Sequence, residues 1–245
     1  MTQLFRAAKQ NRIFQDVVEQ IQEAIIDGHL KVGDRLPAER ELKAMLQTSR
    51  STLREALRVL EQKGLIEIKL GTGGGAVVRT VTPDLVAESL DLLIRSHKVS
   101  LRHIAEFRER VEADVVVLAT SRLKPSDIDN LKILLEDARA CATRGADAVS
   151  EFLDADKNIH LYFAKITGNP IYITIQKTIH ENIRRYYDEF LVMEDPVMHE
   201  NLKDLEDVVA AMQKGDGGRA GDIVRTHVRR FNSYMELREQ QNRSV

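Results

Sequence analysis

Arginines at 50, 54 and 58 recur at every fourth residue, and a helix sets such a series in one row. Each guanidinium is a planar fork of donors that matches O6 and N7 of guanine or bridges phosphates. Ser49, Ser51 and Thr52 stand at the head of the same segment, where hydroxyls and free backbone N–H groups suit a phosphate. Such a row is also what a solvated helix face looks like, with Arg58 paired to Glu61. A second set lies further along the chain. Asp156 and His160 are four residues apart, so a helix projects both from one face, and His227 falls on an apolar stripe with Ala220, Ile223, Val224 and Phe231. These three are either the beginning of a metal site or a core histidine satisfied by a neighbouring carboxylate. Arg108 interrupts another apolar face, formed by Ile104, Val111, Val115 and Leu118. Its charge needs an anion: Glu112 or another buried carboxylate, or a ligand carboxylate held bidentately.

The elements that position these residues follow from periodicity. Phe14, Val17, Val18, Ile21 and Ile25 keep helical spacing up to Gly28, which predicts a first helix. Pro37 suits the first position of a second, shorter helix whose Leu42, Met45 and Leu46 face one way. Ser49 is placed to cap a third, with the stripe Leu53, Ala56, Leu57 and Leu60 ending at Gly64. Helix, turn and Arg-rich helix in this order predict a helix-turn-helix. The period then changes to two: LIEIKL, the glycine turn GTGGG and AVVR predict a hairpin over 65–79. That glycine run lies between strands and lacks a GK[ST] ending, so it reads as the tip of a wing and not as a nucleotide loop. Beyond Thr82 the pattern is helical, over about 83–96, 101–122, 126–144, 147–167, 170–191, 200–214 and 217–240, punctuated by Pro83, Pro125, Asn169–Pro170, Pro196 and Gly215–Gly218.

Composition narrows the classes. A chain of 245 residues with 43% hydrophobic and 30% charged residues predicts two folded domains, with the boundary at 78–83. One cysteine, Cys141, cannot form an intrachain disulfide, and the first residues lack the apolar run of a signal peptide, so a cytoplasmic, membrane-free protein is expected. Aromatic residues are 5% with no Trp, which disfavours recognition of single strands by stacking. Residues 1–80 carry 13 Lys and Arg against 10 Asp and Glu, whereas the remainder carries 23 against 28. A mildly basic binding module joined to an acidic partner domain has this asymmetry.

The segment LKVGDRLPAERELKAMLQTSRSTLREALRVLEQKGLIEIKLGTGGGAVV resembles the DNA-binding domain of the GntR family of bacterial transcription regulators. The resemblance implies base or phosphate contacts by Arg40, Ser49, Arg50, Ser51, Thr52 and Arg54, with Gly71 at the wing; Leu70 stands where some members place a polar reader. The segments FRERVEADVVVLA, DADKNIHLYFAKITGNP and VVAAMQKGDGGRAGDIVRTHV are similar to the helical FCD domain of the FadR-type subgroup. That likeness implies a cavity in which one Asp and three His hold a divalent metal (Zn, Ni or Mn) and an arginine meets an organic acid. Asp156, His160 and His227 match three ligands and Arg108 matches the arginine, but the remaining histidine falls at Leu205. His180 or His199 could substitute, yet His199 is expected to precede that helix and His180 belongs to another; three protein ligands plus water or a ligand oxygen can still hold a metal.

The expectation is therefore a mainly α chain with a winged helix-turn-helix over 1–80 and an all-helical effector-binding and dimerisation domain over 81–245. It would be a homodimeric regulator, a repressor, on a palindromic double-stranded DNA operator, released by a small carboxylate effector. A metal-free regulator of a larger acyl ligand is the alternative. A metal-dependent enzyme with a DNA-binding tether lacks any nucleophile or general-base pairing of characteristic spacing.

Overall fold

The computed structural model describes residues 12–71, 74–80, 82, 84–191 and 193–243. Internal contacts divide the chain into two units, Met1–Leu85 and Val86–Val245, each with its own apolar core.

The first unit holds α1 (Arg12–Ile26), α2 (Glu39–Met45), α3 (Arg50–Gln62) and the strands β1 (Ile66–Lys69) and β2 (Gly75–Val78). Val17, Val18 and Ile21 of α1 meet Leu42 of α2 and Leu53, Ala56, Leu57 and Leu60 of α3 in one buried cluster, closed by Ile66, Ala76 and Val78 of the strands. The spacing of these residues leaves the remaining faces polar, which is why so short a stretch folds as three helices. Ser49 caps α3 by accepting from the Thr52 amide at 3.1 Å, and Gln47, in the turn before it, takes a left-handed conformation with φ 46°. The strands pair antiparallel from Ile66↔Val78 to Lys69↔Gly75. The segment before α2 also runs along β2, with Leu36 donating to Ala76 and Val78 to Asp34. At Gly74 an added Cβ would lie 2.2 Å from the Lys69 carbonyl oxygen, so only glycine closes this hairpin. Residues 72 and 73 of the tip lie outside the described residues. Two expectations need correction. Pro37 precedes the helix, whose N-cap is Ala38, and Met45 is 70% exposed and not part of an inward face.

The second unit is helical throughout among the described residues. The helix α4 (Asp84–Leu93) begins at the boundary and continues as one π-helical turn, Ile94–Lys98. Then come α5 (Leu101–Ser121), α6 (Pro125–Arg144), a 3-10 turn, α7 (Val149–Ile166), α8 (Pro170–Phe190), α9 (Asp195–Gln213) and α10 (Gly217–Arg243). Ser100 and Asn169 cap α5 and α8 with their side chains. Pro196 lies in the first turn of α9 and does not precede it, because a ring that fixes φ and lacks N–H costs nothing where no intrahelical bond would form. That helix therefore starts five residues earlier than the periodicity predicts, and it includes His199. Helices α5 and α10 pack closely: a Cβ at Gly221 would stand 2.9 Å from Val117 Cγ2 and 3.3 Å from the Ala113 carbonyl oxygen. No helix among the described residues is long and apolar enough to cross a membrane.

Candidate functional site

In the first unit, α3 buries one face and exposes Arg50, Ser51, Arg54 and Arg58 on another; Arg40 on α2 and Gly71 beside the wing tip are exposed as well. Two of these arginines share one carboxylate. Glu39, in the first turn of α2, receives Nε of Arg54 on both carboxylate oxygens at 3.1 and 3.0 Å, and Nε of Arg50 at 3.4 Å. The hydrogen bond from Arg54 leads the causes that lower the Glu39 pKa. Ser49 is occupied as the helix cap, within 2.8 Å of the Ser51 and Thr52 hydroxyls. Glu61 accepts from the Ile68 amide at 2.8 Å, tying α3 to the wing, which is a different task from the pairing with Arg58 considered from sequence. A groove of about 410 Å³ is lined by Glu39, Arg54 and Arg58 together with Leu70 and Gly74 of the wing. Arg54, Arg58 and the wing thus face one space, although Leu70, 94% exposed, brings no polar group to it.

The second unit contains a buried polar cluster drawn from five helices. Arg108 and Glu112 of α5, Asp156 and His160 of α7, His180 of α8 and His227 of α10 are each at most 3% exposed. Asp204 of α9 reaches the cluster from its edge. Arg108 Nε donates to Glu112 Oε1 at 2.5 Å and Nη1 to the Tyr187 hydroxyl at 3.0 Å. Glu112 is thus its counter-ion, the first of the alternatives open from sequence. The same carboxylate faces two imidazoles: His160 Nδ1 stands 2.7 Å from Oε2, off the line of a hydrogen bond, and His180 Nε2 stands 3.4 Å from Oε1. On the far side of His160, Nε2 lies 3.8 Å from Asp156 Oδ1, and His227 Nε2 lies 3.5 Å from that oxygen. The other nitrogen of His227, Nδ1, meets Asp204 Oδ2 at 3.2 Å, and Arg230 donates to the same oxygen.

The charges follow from this geometry. Burial alone would raise the Glu112 carboxyl, but Arg108, then His160 and His180, hold it well below the usual range. Asp156 is likewise pushed up by burial and drawn down by His160 and His227, to about 2. Burial disfavours the charged His227, yet hydrogen bonding to Asp156 and Asp204 raises it to about 9. For His180 burial prevails, and its pKa is lowered. Without a bound cation, two carboxylates (Glu112 and Asp156) therefore face two cations (Arg108 and His227).

The cluster leaves polar atoms unmatched. Asp156 Oδ1, His160 Nε2 and His180 Nε2 are buried without a hydrogen-bond partner, an expensive state for groups of this polarity. Asp156, His160 and His227 bring ligand atoms within 4.8 Å of one another, as do Glu112, His160 and His180. Nitrogen and carboxylate donors in this mixture suit Zn²⁺ and neighbouring divalent ions, and Glu112 and Asp204 stand behind His160 and His227 as carboxylates that orient metal-bound imidazoles do. The residues present therefore fit a divalent cation.

The three ligands and the arginine expected from sequence are brought together, with Leu205 buried at 1% exposure and unable to coordinate. Two expectations change. His180, set aside as belonging to another helix, points into the cluster, whereas His199 lies on α9 with Nδ1 2.8 Å from the Asp195 carbonyl oxygen. Sequence reasoning missed Asp204 altogether; the available signal was its place one residue before the vacant ligand position.

Residues 14–78 match the family described as bacterial regulatory proteins, gntR family, and residues 103–230 match the FCD domain. The Uxu operon regulator of Haemophilus influenzae is 28% identical over 223 residues, covering 89% of this chain and 80% of that protein. The HTH-type transcriptional repressor NanR of Escherichia coli K12 is 29% identical over 173 residues, covering 69% of this chain and 64% of that protein. Among solved structures, a Streptococcus agalactiae GntR protein shares the fold with a TM-score of 0.61 at 21% identity, over 90% of this chain and 99% of that one. With its winged helix-turn-helix followed by an FCD domain, the chain belongs to the GntR family of DNA-binding transcription regulators.

Proposed function

We propose that this regulator is a homodimeric repressor released from a palindromic operator by a small organic acid, sensed in the buried cluster of the second unit. The observation that carries the reading is the donor set of Asp156, His160 and His227, in which Asp156 Oδ1 and His160 Nε2 are buried without a hydrogen-bond partner, beside the buried Arg108–Glu112 pair. Asp156, His160 and His227 would hold a divalent cation, which would supply a Lewis-acid centre for a carboxylate. Its binding requires His227 to give up its proton. Two positive charges in exchange for one leave the cluster electropositive, and a carboxylate restores the balance, with Arg108 placed to receive it. The name of one relative, a transcriptional repressor, supports the sign of regulation.

A second reading, a metal-free regulator, draws on a different observation. His227 as an imidazolium between Asp156 and Asp204 already balances the cluster.

One experiment separates them. The protein is bound to duplexes selected from a random pool and challenged with a panel of mono- and dicarboxylates, hydroxy acids and acyl compounds, with and without chelator. Release by a small acid that chelator abolishes is the expected result. Release that persists in chelator favours the metal-free reading, and no release by any acid refutes the sensor assignment.

A further inference from the structure

Arg50 and Arg54 share the Glu39 carboxylate, but the third arginine of the row has no such partner. Glu61 stands three residues beyond Arg58 on α3, near enough in sequence for an ion pair, yet its carboxylate accepts from the Ile68 amide of the wing. Arg58 is exposed, and among the described residues its side chain has neither an ion pair nor a hydrogen bond. We propose that Arg58 binds a phosphate of the DNA backbone in the groove between α3 and the wing, as an anchor indifferent to sequence, while the bases are left to Arg50 and Arg54. The inference rests on DNA binding by the winged unit and is independent of the effector and the cation assigned to the second unit.

Three features support it. The first is charge. The groove is lined by the guanidinium groups of Arg35, Arg54 and Arg58 and by a single carboxylate, that of Glu39, which Arg54 already holds through both oxygens. The lining is therefore cationic, and a phosphodiester is the anion that DNA brings to it. The second is freedom. Reading a base edge needs a guanidinium fork fixed in direction, as Glu39 fixes that of Arg54, whereas a phosphate accepts a positive charge from many directions and suits a side chain that nothing orients. The third is position. Recognition helices touch base edges with their N-terminal residues, and Arg58 lies two helical turns, about 12 Å, beyond Arg50. Around it the groove presents Leu57, Ile68 and Leu70, an apolar lining that matches deoxyribose and offers no donor or acceptor to a base. Leu70, 94% exposed, thus has a use that a polar reader would not serve.

The test measures fluorescence anisotropy of the full-length chain, across a series of NaCl concentrations, on a duplex selected from a random pool and on an unrelated duplex of equal length. Arg58→Gln is expected to weaken binding to both by a common factor, about fivefold near 0.15 M salt, and to lower the slope of log affinity against log salt by about 1. The order of preference among single-base variants of the selected duplex stays as in the wild type. Arg58→Lys, which keeps a point charge but loses the fork, restores the slope. A slope unchanged in Arg58→Gln overturns the proposal. So does a loss confined to the selected duplex and to one base position, which would make Arg58 a reader of sequence. A slope that Arg58→Lys leaves as low as Arg58→Gln does would overturn it as well, because a phosphate anchor needs only the charge.

Discussion

Glu39 grips Arg54 through both carboxylate oxygens, at 3.1 and 3.0 Å across the turn that joins α2 to α3. The guanidinium is thereby oriented through its Nε, which leaves its two terminal nitrogens for the base edge or phosphate that we propose it meets. Arg54→Ala is expected to weaken operator binding by about 1–3 kcal/mol and to flatten the preference at one base position. Arg50→Ala is expected to act in the same direction. Fluorescence anisotropy at fixed salt checks both, and two variants that bind like the wild type would disprove that α3 reads DNA.

A buried ion pair is costly to break and cheap to replace. Arg108→Met leaves Glu112 buried without its counter-ion and is expected to lose about 3–5 kcal/mol in urea unfolding. The double variant Arg108→Met with Glu112→Leu should recover most of that loss. Equal losses in the single and double variants would mean that Arg108 stabilises by packing rather than by charge.

His227 sets a pH dependence for chelator-treated protein. Its pKa rises from 6.5 to about 9 in the fold, so its stabilisation is complete below pH 6.5 and is lost as pH climbs through 9. The shift corresponds to about 3 kcal/mol. Melting temperature should fall between pH 6.5 and 9.5 in the wild type and change less in His227→Gln. Zn²⁺ affinity should rise over the same interval, because the competing proton leaves. A flat thermal profile in the stripped wild type would contradict the paired imidazolium.

The winged unit uses its apolar stripes for its own core: Val17, Val18, Ile21, Leu53, Leu57 and Leu60 are all buried within it. Dimerisation is therefore expected to depend on the second unit. A fragment ending at Arg79 should sediment as a monomer and bind DNA weakly, with steep sensitivity to salt. A dimeric fragment would show that the winged unit carries the contact.

Local regularities were legible in the residues alone. The stripe Leu53, Ala56, Leu57, Leu60 announces a helix, and the row Arg50, Arg54, Arg58 beside it announces what that helix exposes. Asp156 and His160 share a face because they are four residues apart, and His227 is inward because its neighbours in the repeat are apolar. Each of these depends only on the rise and turn of one helix. Two helix starts are misplaced at prolines: Pro37, expected at the first helical position, stands before α2, whereas Pro196, expected as a break before the helix, lies inside the first turn of α9. The partners across the cluster were a different matter. Glu112 could be named as one candidate for Arg108, but its approach to His160 and His180 depends on how α5, α7 and α8 pack. So does the contact of Asp204 with His227, 23 residues apart on separate helices. Periodicity says which face of a helix turns inward. Which inward faces meet, and at what height along their axes, is decided by close packing such as that of Gly221 against Ala113 and Val117.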